Sequence, residues 1–414
     1  AASDVYKRQI LSKKFKWLGW MGVLSAFLIL GFYCALGGYC LKYVTLNVGN
    51  LFHAGFGTGT LDGAGVFDAL MANQGECVIY GLIFVAITMV IVMGGVGGGI
   101  EKVCSVGMPA LFVMLVICII RSCTLDGAVE GLKYMFVPGW ALDNGIIKEA
   151  PSFFSVLSTA GGQMFFSLSL GMAAMITYGS YMDKKKNLQK NAVVIVVMDT
   201  VVALMAGLCV IPGRFALDPT GNLGGPSLLF VTMQNVFDRM GSVGPIFGIM
   251  FYLLVVFAAV SSSISLLEAV VAHFVDKARE QGKGDKRKLY SLIGAIGAGI
   301  LCVIVCLDAL GNAGISPADI LGMRVDPSDK VPTWSADWLD FFDCIAEGIL
   351  MPLGALLMSI MYGWEVGPEV VHAEATREGQ SFGAYGWFKI CIKYITPLCM
   401  LLVLYGQIKE FFFV

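Results

Sequence analysis

The chain has 414 residues, 57% hydrophobic and only 14% charged, with a mean hydropathy of +0.77 and a formal net charge of −2. A soluble domain carries about 25% charged residues, so this composition excludes an ordinary globular enzyme and points to a polytopic membrane protein. The charge balance offers nothing to nucleic acid. The 12 cysteines and three histidines are scattered without metal-ligand spacing, and no P-loop, HExxH or nucleophile elbow marks a catalytic centre.

Asp4–Gln9 read DVYKRQ, the translation of an adapter used in preparing sequencing libraries, so Ala1–Gln9 are set aside as an artefact. Residues 10–414 are expected to form one transmembrane domain whose authentic beginning is missing. Nine apolar segments follow, near 17–43, 77–96, 103–121, 152–181, 190–211, 245–275, 289–311, 340–363 and 385–408. A crossing takes roughly 20 residues, so these read as nine membrane helices. Lys13–Lys16, DKKKNLQK (183–190) and DKAREQGKGDKRK (276–288) are basic and belong in the cytoplasm. Val44 to Glu76 contains no Lys or Arg, is rich in Gly and Asn, and reads as an outer loop.

Taken in order, the first span carries Tyr33 inside its apolar run, where the hydroxyl needs either a neighbouring helix or a ligand. The fourth, GQMFFSLSLGMAAMITYGSY (162–181), interrupts an apolar stretch with serines and a glycine. Such a segment reads as a binding-site helix that opens near the midplane, or as a close-packing stripe of small residues. The fifth contains one charge, Asp199, with no Lys or Arg deep in the same span. It is expected to face the bundle interior and hold an ion or proton, the alternative being an inter-helix salt bridge. In the sixth, Ala258, Ser261, Ser262 and Ser265 share one helical face, which suits either a hard monovalent cation or small-residue packing. Glu268, near the cytoplasmic end, is expected to snorkel to water. Asp340, Asp343 and Glu347 share a face of the eighth span near its outer end. A membrane-embedded enzyme built on Asp199 with Asp343 or Glu347 has no motif to support it.

Taken together, these stretches resemble the neurotransmitter:sodium symporter family, in its bacterial amino-acid transporter branch. GFYCALGGY (31–39) is similar to the family's third helix, GQMFFSLSLGMAAMITYGSY to its broken sixth, and FAAVSSSIS (257–265) to its eighth. FFD (341–343) followed by GW (363–364) is similar to its tenth. The resemblance implies an all-α inverted-repeat bundle, of which this chain holds helices three to eleven and lacks the first two. It implies sodium-coupled symport of an amino acid or related small amine across the bacterial cytoplasmic membrane by alternating access, with a fragment inactive by itself. A non-transporting sensor or a channel on the same scaffold is the alternative.

Carried over by position, Tyr33 would bond the substrate carboxylate and Phe166 would cap the pocket, with Ile29, Ser169, Met172, Ser262 and Leu266 lining it. One sodium ion would take Ser167 and Asp199, and a second the Ala258 carbonyl with Ser261 and Ser262. Asp343 would belong to an outer gate, and Asp276 and Tyr181 to an inner one. Three positions depart from common family patterns. Asp199 stands where many relatives have asparagine, and Ala203 where chloride-dependent members have serine, implying no chloride requirement. Met172 replaces a larger aromatic and suggests a roomier apolar pocket.

Overall fold

A computed structural model describes residues 14–413 apart from 16, 184, 222, 223, 285, 325, 327, 328 and 378. The adapter-like Ala1–Gln9 lie outside the described residues. Among those described, every regular element is helical. Eight helices are long and apolar enough to cross a membrane. In chain order they are α1 (Leu18–Leu51), α2 (Gln74–Met93), α3 (Val96–Cys123), α6 (Leu188–Leu217), α7 (Gly241–Glu280), α8 (Arg287–Asp308), α9 (Trp338–Glu365) and α10 (Tyr385–Phe412). Among the shorter helices between α3 and α6 are α4 (Phe153–Ser167) and α5 (Ala174–Tyr181), which together make the fourth apolar segment in chain order.

The helix α1 is the axle. Its 34 residues rise about 50 Å, against a hydrocarbon core of roughly 30 Å. It therefore runs well past the expected boundary at 43 and takes up part of the supposed outer loop; Gly63–Ala72 form a further helix there. Small residues let its neighbours close in. A Cβ placed on Gly38 would stand 2.5 Å from the backbone nitrogen of Gly81 in α2, so only glycine permits that crossing. Most of α1 is buried against α2, α7 and α8, with Ala26, Ile29, Tyr39 and Tyr43 essentially sealed. By contrast α6 is as long as a span requires but buries only Cys209, Pro212, Gly213 and Arg214, near its far end.

The break between α4 and α5 has an identifiable cause. Ser169 (φ 53°) and Gly171 (φ 76°) both lie in the left-handed region, which no continuous helix tolerates. At Gly171 a Cβ would stand 2.3 Å from the Met351 carbonyl oxygen, so α9 presses directly on the break. The freed backbone groups are partly recaptured. Leu168 N–H donates to Met164 O (3.0 Å), Leu170 N–H to Phe165 O (2.9 Å) and Ala173 N–H to Gly22 O of α1 (3.3 Å). Irregular backbone at membrane depth is tolerated where such partners or a wet cavity exist.

Two other spans depart from regular α-helix. The glycine-rich run 94–99 delivers a π-helical turn at Val96–Ile100 before α3 continues, and α9 contains π-helical stretches at Cys344–Leu350 and Met361–Glu365. Widened turns of this kind inside α-helices are frequent at functional sites.

Candidate functional site

The break opens onto a cavity of about 720 Å³. Helix α1 contributes Ile29 and Tyr33 to its wall, the α4–α5 break contributes Phe166, Ser167, Ser169 and Met172, and α7 contributes Ser261, Ser262 and Leu266. All seven residues expected to touch substrate therefore line one space, although they come from three separate stretches of chain. Ile29, Met172 and Leu266 are buried and give it apolar walls. Tyr33 of α1 and Ser262 of α7 both line the cavity, with their side chains as neighbours.

Electrostatics at the break follow from its geometry. Ser167 is the last residue of α4 and Ala174 the first of α5, so a helix C-terminus and a helix N-terminus meet at one place. The former presents free carbonyl oxygens and partial negative charge, the latter free N–H groups and partial positive charge. Beside the α4 end, Ser167 Oγ donates to Asp199 Oδ1 at 2.6 Å. Asp199 has no basic partner among the described residues, so the salt-bridge alternative finds no support there.

On α7 the oxygens of the serine face are stitched to one another. Ser261 Oγ donates to the Ala258 carbonyl (2.8 Å), Ser265 Oγ donates to the Ser261 carbonyl (3.0 Å), and Ser265 Oγ and Tyr178 Oη are 2.9 Å apart. Ser261 and Ser262 thus bring two hydroxyls to the cavity wall, and the Ala258 carbonyl lies one turn behind them, bonded to Ser261 Oγ. This donor set fits a hard cation, which takes oxygen ligands. Each set, Ser167 with Asp199 and Ala258 with Ser261 and Ser262, supplies only part of a coordination shell.

Several cavity residues had escaped sequence reading. Val96, Ile100, Glu101 and Met108 of α3 form a wall, joined by Gln163 of α4 and Tyr178 of α5. The GGVGGG run at 94–99 was the available signal, since it interrupts an apolar stretch much as 167–171 do.

The expected gate residues lie apart from the cavity wall. Asp343 ends the α-helical start of α9, one turn before Glu347 on the π-helical stretch. At the end expected to face the cytoplasm, Asp276 is buried on α7, and Tyr181 closes α5. Here one expectation fails. Glu268 does not snorkel: it is 0% exposed. Arg287, the first residue of α8, donates Nη1–H and Nη2–H to its two carboxylate oxygens (2.6 and 2.9 Å), and Tyr181 Oη–H adds a third bond (2.5 Å). A buried carboxylate is tolerable when its oxygens are satisfied and its charge paired, and the bidentate guanidinium does both.

A model of the sodium:neurotransmitter symporter family matches residues 69–322. An uncharacterized sodium-dependent transporter of Bacillus subtilis, YhdH, is 32% identical over 97% of this chain and 82% of its own length. One from Haemophilus influenzae is 30% identical over 95% of this chain and 79% of its own. Among solved structures, MhsT in complex with L-phenylalanine is similar with a TM-score of 0.78 and 31% identity, covering 98% of this chain and 85% of that one.

Proposed function

The chain belongs to the sodium:neurotransmitter symporter family, whose members are transporters rather than enzymes, and from that premise we propose that it serves sodium-coupled uptake of an amino acid with a sizeable apolar side chain. One observation carries the reading: the seven residues expected at the substrate converge on the cavity at the α4–α5 break, with Ser167 and Asp199 beside it. The α5 N-terminus and the Tyr33 hydroxyl suit a carboxylate, and Ile29, Phe166, Met172 and Leu266 suit an apolar side chain. The solved relative, MhsT, holds L-phenylalanine.

In this reading one sodium ion takes Ser167 and Asp199 and touches the substrate carboxylate. A second takes the Ala258 carbonyl, Ser261 and Ser262. Because the first ion and the substrate share a contact, each binds better in the presence of the other, and that coupling is reciprocal. The inward sodium gradient then drives uptake as the bundle alternates between outward- and inward-open forms. Asp343 acts at the outer gate, and Asp276 and Tyr181 at the inner one. Ala203 offers no hydroxyl on α6, so chloride is not required.

The test is uptake by the protein reconstituted into liposomes. Accumulation of a large apolar amino acid above its equilibrium level is expected with an inward sodium gradient and not with potassium. Uptake that only ever equilibrates would sink the symport reading in favour of a channel, and binding without flux would favour a sensor.

A further inference from the structure

A second concave surface lies between α2 and α8, and none of its residues touches the cavity at the break. It is a groove of about 520 Å³. Val85 of α2 with Ala295 and Gly299 of α8 make a buried floor, and Leu82, Leu292, Ile296 and Ile300 stand as exposed walls. The helices are pinned to each other beside it. Gly81 lies against Cys302, and Cys306 Sγ donates to the Cys77 carbonyl at 3.5 Å. Within a bilayer, a bare apolar groove of this kind is bathed in acyl chains rather than water.

The inner end of the groove supplies specificity. Lys288 precedes Leu292 by four residues and so heads the same stripe of α8, one turn beyond the groove. Lys286 is the N-cap residue of that helix and provides no side-chain cap. Both lysines are exposed, and neither ammonium group has a partner among the described residues. Arg287 between them is turned inward onto Glu268. The uncapped N–H groups of α8 add partial positive charge at the same place. The basic composition of 276–288 puts this end at the cytoplasmic surface.

We propose that the groove binds a phospholipid of the cytoplasmic leaflet with an anionic headgroup. One acyl chain lies between α2 and α8, and the phosphate rests against Lys286, Lys288 and the start of α8. Clusters of basic residues beside membrane helices attract anionic lipid in this way.

The purified chain in neutral detergent would be offered equimolar phosphatidylglycerol and phosphatidylcholine with identical acyl chains, and retained lipid counted by native mass spectrometry. Wild type should retain phosphatidylglycerol over phosphatidylcholine by roughly tenfold or more. Lys286→Ala/Lys288→Ala should bring the two lipids level. Gly299→Leu should lower both, because it fills the groove; a Cβ at 299 meets only Leu82, at an ordinary 3.5 Å. The lysine variant alters exposed side chains alone and decides the matter even if Gly299→Leu folds poorly. Equal retention by wild type, or a phosphatidylglycerol preference that survives loss of both lysines, overturns the proposal. So does a lipid-free dimer that Gly299→Leu dissociates.

Discussion

Two carboxylates within the membrane helices, Asp199 and Glu268, are treated in opposite ways. Glu268 is fully buried, and its cation, Arg287, is part of the chain, with Tyr181 completing the set. Asp199 is half-buried beside a cavity, and among the described residues the Ser167 hydroxyl bonds it. A carboxylate that carries its own cation holds elements together. One left without a cation in a low-dielectric setting is costly unless a cation arrives from outside. The difference separates a structural clamp from a binding site without reference to position in the sequence.

The sharpest way to break the comparison is to take the clamp's cation away. Arg287→Ala should destabilise the protein by about 3–5 kcal/mol, because Glu268 would be left buried and unpaired. Thermal unfolding in detergent would measure it. Adding Glu268→Gln should restore much of that loss, and if it does not, the pair is not the clamp described here.

Asp199→Ala should behave in the reverse manner. Unfolding in sodium-free buffer should move by less than about 0.5 kcal/mol, the usual range for a site outside the packed core. Sodium-dependent uptake should fall by roughly 100-fold, about 2.7 kcal/mol. The stabilisation that sodium confers on the folded state should fall with it. A large loss of stability without sodium would place Asp199 with Glu268 and erase the contrast.

Ser261→Ala probes the uncharged donor set. Loss of one hydroxyl ligand should weaken apparent sodium affinity about tenfold, the scale of one hydrogen-bond-sized contact. It would be read from the sodium dependence of uptake, and an unchanged affinity would return the 258–265 face to simple helix packing. Met172→Phe, the smallest change, should shift preference towards smaller apolar substrates by a few-fold, as one side chain's volume does in an apolar pocket. Competition between leucine and phenylalanine would detect it.

The legible parts of this molecule are those where local chemistry conflicts with a membrane helix. Serines and a glycine inside an apolar run announced the break at 168–173, and the spacing of Ala258, Ser261 and Ser262 announced a shared face. What could not be read depends on distant partners. Glu268 seemed bound for water because Arg287 lies 19 positions away, beyond a loop. The α3 wall of the cavity was invisible for a similar reason. Val96, Ile100 and Met108 are ordinary apolar residues, and only the packing of α3 decides which of them face the break.

Two tyrosines on α5 carry one more implication. Tyr178 and Tyr181 are three residues apart, and their partners on α7, Ser265 and Glu268, are three residues apart as well. The short helix is therefore laced to the long one by two matched rungs on the same turn. Rotating or tilting α5 strains both rungs at once, so neither can be released cheaply ahead of the other. Motion of this half-helix away from α7 should be all-or-none, crossing a single barrier rather than loosening by degrees, and removing either hydroxyl should hasten it.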